Sequence, residues 1–277
     1  IRRRLTPAIV RTAVASIAVF IAAGLLIVYN TNVLNPYSTE TSVRAAQAKY
    51  ERDYGQYRDA PAPSLDTPDV TVEVFGRQRR LTSRGSASLR NIRSSAINEF
   101  VIDVDRRNTV DELVVEGASL VRADKALGFY VFRPEKPLEP DATLPMRWQL
   151  TRAHRGFPNT SPDTELVENG SYLAATFLPV PGYCRDCELR VDRQRFGLPA
   201  TPRLPALGDP QHLDDLRHGT DYRTTFHLTL GTDDDQTGVA PGERLRSWQA
   251  DGRRYVEYAV SRPVWPLLTI QSARYTV

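Results

Sequence analysis

The chain has 277 residues, with 36 Lys and Arg against 33 Asp and Glu, for a formal charge of +3. Arg2, Arg3, Arg4 and Arg11 precede every acidic residue, so the remainder carries 32 basic against 33 acidic side chains and is nearly neutral. A near-neutral domain has no electrostatic footprint for nucleic acid, which excludes that class of partner.

Residues 1–29 read as a cytoplasmic basic flank followed by a transmembrane helix. Thr12 to Tyr29 carries no charge and is apolar on all faces, and about 20 such residues span a bilayer core of roughly 30 Å. A signal peptide shares the basic start, but its apolar region is shorter and ends in a small-x-small cleavage pattern that is missing here. The C-terminal flank has no Lys or Arg before Arg44, so the positive-inside rule puts the N-terminus in the cytoplasm and the large domain outside. The sequence starts at Ile1 and its only methionine is Met146. The expectation is a segment of a longer protein.

Residues 30–68 read as a juxtamembrane helix and a linker. Ser38 to Tyr57 places Ala45, Ala46, Ala48, Tyr50, Tyr54 and Tyr57 among Arg44, Lys49, Glu51 and Arg52, an apolar stripe on a charged helix, with Ser38 or Thr39 as its cap. Pro61, Pro63 and Pro68 make Ala60 to Pro68 an extended connection.

Residues 69–277 read as one extracytoplasmic β domain. Val70–Phe75, Ala87–Arg90, Ile97–Val104 and Glu112–Val115 alternate apolar and polar, which buries one face of a strand and wets the other. Further strands are expected at Phe129–Phe132, Met146–Thr151, Tyr172–Phe177, Thr224–Leu230, Arg254–Ala259 and Trp265–Val277. Short strands separated by Gly, Pro and Asp give an all-β class: a saddle-like antiparallel β-sandwich preceded by one transmembrane helix and a short juxtamembrane helix. Glu188–Gly197 and Asp209–His218 carry weaker helical patterns, and Pro199–Gln211 is a Pro-rich loop.

Few residues suggest chemistry on their own. Cys184 and Cys187 form a lone C-x-x-C, which outside a reducing cytosol is a disulfide stapling a loop. A thioredoxin-type redox pair would need a helix start in a βαβ setting, and zinc would need two more ligands. Asp233, Asp234 and Asp235 lack the ligand spacing of a calcium loop and read as a solvated turn. Trp148, Trp248 and Trp265 are expected in the sandwich core or its rim. Asn159-Thr160-Ser161 and Asn169-Gly170-Ser171 match a glycosylation pattern that recurs by chance. His218, Asp221 and Ser247 have no Gly-x-Ser-x-Gly elbow to make them a triad.

The order of landmarks is more informative than any one of them. Tyr29-Asn30-Thr31-Asn32-Val33-Leu34-Asn35 follows the apolar run, then Ala48-Lys49-Tyr50-Glu51-Arg52-Asp53-Tyr54 and the proline linker. After these come Lys136-Pro137-Leu138-Glu139-Pro140-Asp141, Arg155-Gly156-Phe157, Glu168-Asn169-Gly170-Ser171 and Pro181-Gly182-Tyr183. Ala240-Pro241-Gly242-Glu243, Asp251-Gly252-Arg253-Arg254-Tyr255 and Ser272-Ala273-Arg274-Tyr275 close the series.

This series resembles bacterial proteins that fuse ABC transporter permease helices to an extracytoplasmic part similar to the aminopeptidase N family of zinc metallopeptidases, over nearly the whole chain. The resemblance implies that the apolar run is the last permease helix and that the β domain is the peptidase's N-terminal domain, in a bacterial inner membrane facing the periplasm. It also implies a following zinc domain, with peptides and an ABC ATPase as further partners. The family's H-E-x-x-H zinc motif is absent, because His154, His212, His218 and His227 are not followed by Glu. No cofactor and no catalytic residue is therefore expected in this chain. By the resemblance, this domain walls one side of a peptide cleft and helps hold the substrate's amino end. The stretch that would do so is Glu168-Asn169-Gly170-Ser171, ahead of Phe177-Leu178-Pro179, with the family's usual Thr-Gln pair replaced. Asn169-Gly170 is equally a plain turn pair. The alternative to a peptidase wall is a non-catalytic peptide- or partner-binding ectodomain of a permease.

Overall fold

The computed structural model describes residues 6–34, 38–156, 165–200, 223–264 and 268–275. Helix α1 runs Pro7–Val28, with the Thr6 hydroxyl accepting the Ile9 N–H at 3.4 Å and Pro7 at its start, where a missing N–H costs nothing. A π-helical turn, Tyr29–Val33, extends it, and Pro7–Val33 is long and apolar enough to cross a membrane. No side chain of α1 is buried. Helix α2 runs Glu40–Tyr54 and is capped by Thr39, whose hydroxyl accepts the Ser42 N–H at 3.1 Å. Its inner face buries Ala48, Tyr50, Glu51 and Tyr54.

Fourteen strands are described: β1 Ser64–Phe75, β2 Arg80–Arg90, β3 Phe100–Asp103, β4 Thr109–Val115, β5 Ala118–Asp124, β6 Phe129–Pro134 and β7 Thr143–Ala153, followed by β8 Gly170–Ala174, β9 Val180–Pro181, β10 Thr224–Asp233, β11 Thr237–Val239, β12 Glu243–Ala250, β13 Arg253–Val264 and β14 Thr269–Ala273. They form a seven-stranded sheet in the order β12-β13-β10-β1-β2-β7-β4, a four-stranded sheet β5-β6-β3-β9 and a three-stranded sheet β11-β14-β8. The protein is mostly β.

One core joins the three sheets. Val70, Val72 and Val74 of β1, Phe226, Leu228 and Leu230 of β10, and Met146, Trp148 and Leu150 of β7 line the inner face of the large sheet. Phe100, Ile102 and Phe132 of the four-stranded sheet and Leu173 and Ile270 of the three-stranded sheet complete it. Each such side chain contributes about 1.5–3 kcal/mol on burial. Trp148 lies flat across β2 because residue 85 is glycine: a Cβ there would stand 2.6 Å from the indole and 2.5 Å from the Asp69 carbonyl.

The structure departs from the expectations in several places. β1 begins at Ser64, ahead of Asp69, because Pro68 sits in a bulge where the register breaks between Asp66 and Asp69, so its lack of an N–H is harmless. β1 and β10 pair in parallel, Asp69 opposite His227 through Glu73 opposite Gly231, so the large sheet is mixed. A parallel pair needs a long crossover, and β2 to β9 supply it. β5 and β12, unanticipated, are exposed end strands with little apolar alternation to find. Of Glu188–Gly197 only Arg193–Phe196 is helical, a short 3-10 helix between the left-handed residues Asp192 and Gly197. Asp209–His218 lies outside the described residues.

Candidate functional site

The expected substrate-side residues, Glu168 and Asn169, form the turn that leads into β8. Leu166 and Leu173, on either side, are buried in the core. The Glu168 carbonyl accepts a hydrogen bond from Gln236 Nε2 at 2.8 Å, and the other end of that fully buried amide, Oε1, accepts from Ser272 Oγ. Gly170 pairs with Ala273 of β14, and the Ser171 hydroxyl donates back to the Val167 carbonyl at 3.4 Å. Gly76, after β1, closes the fourth side: a Cβ there would come 3.2 Å from the Glu168 carbonyl. The backbone is thus held from β8, β14 and the turns after β1 and β10. The side chains of Glu168 and Asn169 are exposed and hydrogen-bond to nothing among the described residues. The Glu168 carboxylate thus stands exposed and unpaired among the described residues, on a backbone that is held in place.

The acidic run beside this turn is not a metal cradle. Asp233 accepts from the Arg77 N–H at 3.0 Å and faces Arg253, Asp234 pairs with Arg77 at 2.8 Å, and Asp235 pairs with Arg274 at 2.6 Å. The Arg274 hydrogen bond holds the Asp235 carboxyl below its ordinary range, against the opposing effect of desolvation. Asp233 is buried rather than solvated, because the β10–β11 turn folds it onto Arg77 and Arg253.

Cys184 and Cys187 are joined in a disulfide on a 3-10 turn, Arg185–Cys187, where α2 meets the four-stranded sheet. A bridge closing so short a loop contributes about 2 kcal/mol in the chain-entropy account. Tyr50 of α2 reaches across this junction. Its hydroxyl donates to Asp103 Oδ2 at 2.9 Å and accepts the Cys184 N–H at 3.0 Å. Burial pushes the Asp103 carboxyl up to about 7 and Asp105 adds to this, while the Tyr50 hydrogen bond opposes it. Burial, and next the Asp103 charge, push the Tyr50 phenol far upward. Asp103 and the two sulfurs lie within 4.8 Å of one another, but the sulfurs are bonded to each other and are not metal ligands.

Further along the junction, Tyr54 stacks on Phe129 with ring centroids 3.8 Å apart and donates to Asp124 at 2.7 Å. Glu51 accepts from Arg193 at 2.5 and 2.8 Å and meets Arg58, which also holds Glu188 at 2.7 Å. The Arg193 hydrogen bond is the largest influence on Glu51 and draws its carboxyl below the usual range despite burial.

Two features had no signal in the sequence. Arg152 of β7 is buried, its guanidinium donating to Asn108 at 3.0 Å, Glu165 at 3.2 Å and the Thr176 carbonyl at 3.1 Å. His227 of β10 stands between Asp69 at 3.2 Å and Glu257 at 2.6 Å. Burial opposes its charge, but the two carboxylate hydrogen bonds outweigh this and lift the imidazole above its ordinary value. Both depend on neighbours far away in the sequence. Trp148 is in the core, and Trp248 stacks on Tyr255 at the partly exposed rim beneath Arg246. Ser247 is exposed. Trp265, His218, Asp221 and residues 159–161 lie outside the described residues.

No family model matches the chain, and no curated protein does. Among solved structures it is similar to an M1 zinc metallopeptidase from Deinococcus radiodurans, with a TM-score of 0.48 and 12% identity over 78% of this chain and 43% of that one. A mutant of that metallopeptidase bound to a Tyr-Ser-Ala substrate gives 0.48 and 12% over 76% and 42%. A two-domain M1 zinc metallopeptidase mutant bound to L-arginine gives 0.48 and 14% over 76% and 42%. The chain spans less than half the length of these metallopeptidases.

Proposed function

We propose that this chain is the membrane-tethered extracytoplasmic β domain of a bacterial permease and zinc aminopeptidase-like protein, forming one wall of a cleft in which peptides are cleaved from the amino end. The observation that carries the reading is the Glu168–Asn169 turn, an exposed carboxylate and amide on a backbone fixed from four sides. A held backbone limits how far the exposed carboxylate can wander, which favours a charge-assisted hydrogen bond to a substrate's α-ammonium. The family resemblance implies a substrate-side role for the same stretch, and α1, long and apolar enough to cross a membrane, would be the tether.

The residues of this chain do not fit a catalytic zinc. None of the four histidines begins an H-E-x-x-H, and among the described residues the one His, Cys, Asp and Glu grouping has its sulfurs locked together. In this reading a zinc ion and the water it would activate are held outside this chain, by a catalytic domain that the resemblance implies. In this chain Glu168 binds and Asn169 orients, while the core beneath them keeps the wall rigid.

The test is hydrolysis of aminoacyl chromogenic substrates by the full-length protein in detergent, with and without chelator, together with zinc content. The expected result is chelator-sensitive release. Glu168→Gln should raise KM about tenfold with a much smaller change in kcat, since one charged hydrogen bond is worth about 1.5–3 kcal/mol. Unchanged KM would remove Glu168 from the cleft. Neither zinc nor hydrolysis would replace the peptidase with a binding ectodomain, which peptide binding to the same preparation would then measure.

A further inference from the structure

The densest grouping of reactive side chains among the described residues lies away from the Glu168 turn, at the junction of α2 with the loop after β9. The Cys184–Cys187 disulfide is partly buried there, and the two residues it encloses, Arg185 and Asp186, are exposed. Its inner side faces Asp103 at the end of β3 and an aromatic wall of Tyr50, Tyr183 and Phe129.

Asp103 has no cationic partner among the described residues. The charged and titratable groups around it are Tyr50 from α2, the two sulfurs and Tyr183 from the loop, and Asp105 beyond β3, which is itself held by Arg107 at 2.7 Å. On the far side of Tyr183, Glu188 is taken up by Arg58. A carboxyl that is partly buried, without a cationic partner among the described residues, held by a tyrosine and within 4.8 Å of both sulfurs is poorly explained by loop stapling, which needs no acid. It is well explained by the needs of thiol–disulfide exchange, where one sulfur must leave as a thiolate and an apolar wall solvates thiolates badly.

We propose that Cys184–Cys187 is a thiol–disulfide exchange site for dithiol reductants, with Asp103 as its proton carrier and Tyr50 as the residue that positions Asp103 against the sulfurs. A thiolate of the dithiol attacks one cysteine sulfur, forming a mixed disulfide. The Cys184–Cys187 bond breaks, and the departing sulfur takes the electron pair and the proton of the Asp103 carboxyl. The second thiolate of the dithiol then attacks its own linked sulfur and displaces the other cysteine, which is protonated from water. The dithiol is oxidised by two electrons to its disulfide, and the protein pair is reduced by two. Both dithiol protons pass to solvent, which returns one to Asp103 and one to the second cysteine. Because burial lifts Asp103 to about 7, both its acid and its base form are populated near neutral pH, so it can serve the exchange in either direction.

The test uses the full chain in detergent micelles with dithiothreitol as the dithiol. Reduction is followed by quenching with a maleimide and counting modified cysteines by mass, across the pH range in which Asp103 titrates. The rate constant, divided by the thiolate fraction of dithiothreitol, should fall about tenfold or more as Asp103 ionises, the scale of a lost general acid. Asp103→Asn should give a flat profile at the low rate. Tyr50→Phe keeps the ring and removes the hydrogen bond that lowers Asp103, so the fall should move to higher pH. A disulfide that resists excess dithiothreitol in the folded chain would overturn the proposal, as would an unchanged profile in Asp103→Asn. Should Asp103→Asn not fold, the position of the Tyr50→Phe profile decides: displaced upward supports the proposal, unmoved overturns it.

Discussion

The α2 junction and the Glu168 turn are fastened in opposite ways. At the junction side chains make the attachment: Tyr50, Glu51 and Tyr54 are buried, and each meets a named partner from the sheet or the loops. At the turn the backbone is held by Gln236, β14 and the close approach of Gly76, while the side chains stand exposed and unpaired among the described residues. Changing a junction side chain should therefore cost stability whatever the protein does. Changing a turn side chain should cost only what that side chain binds.

The strongest way to break this contrast is Tyr54→Ala. The substitution deletes a fully buried ring, its stack on Phe129 and its bond to Asp124. The expected loss is about 3–5 kcal/mol, the usual cost of truncating a buried aromatic, read from the denaturant midpoint of the full chain. A loss below about 1 kcal/mol, the centre of ordinary substitutions, would mean that α2 is not fastened through this ring.

Arg193→Met should cost somewhat less, about 3 kcal/mol, because it strands a buried carboxylate that keeps only Arg58. It also has a pH signature. Glu51 is drawn below its ordinary 4.5 chiefly by the Arg193 hydrogen bond. A depressed carboxyl contributes stability that is complete above its unfolded pKa and lost as pH falls through the folded one. Wild type should therefore lose stability on acidification below about 4.5 by a component that Arg193→Met has already lost. Parallel acid profiles for the two proteins would remove the ion pair from the account of the junction.

The two regions also differ in how far they could be read from sequence. α2 was legible through its apolar stripe and cap, and β1, β7 and β10 through alternation, because each of these signals arises within one segment. Glu168 and Asn169 are candidates only through the family resemblance carried by the order of landmarks around them. What those residues rest on was not legible, since Gln236 and Ser272 arrive from strands paired only by topology. The same holds for Asp103, which has no sequence relation to Cys184 until β3 pairs with β9. β5 and β12 escaped because exposed end strands need no buried face.

Gln236→Ala sharpens the comparison from the turn's side. It leaves the Glu168 carbonyl and the Ser272 hydroxyl without their partner in a buried place, for about 1–3 kcal/mol. Because it loosens the platform and leaves the Glu168 carboxylate in place, it should lower affinity for peptides with a free amino end as well. Stability lost with binding intact would show that the platform does not position the acid.

The smallest expected change in stability is the most telling. Glu168→Gln alters an exposed side chain with no partner among the described residues, so its folding free energy should stay within about 0.5 kcal/mol of wild type. If the turn is a binding element, the same substitution should raise KM for substrates with a free α-ammonium and leave binding of their N-acetylated counterparts unchanged. A marked fall in stability would mean that Glu168 is a fastening residue like those of the junction, and the distinction between the two regions would be lost. An effect on both ligand classes alike would mean that the carboxylate shapes the wall without reading the amino end. Only a selective effect at constant stability assigns the carboxylate to recognition, because that pair of readouts separates a charge spent on a ligand from a charge spent on the fold.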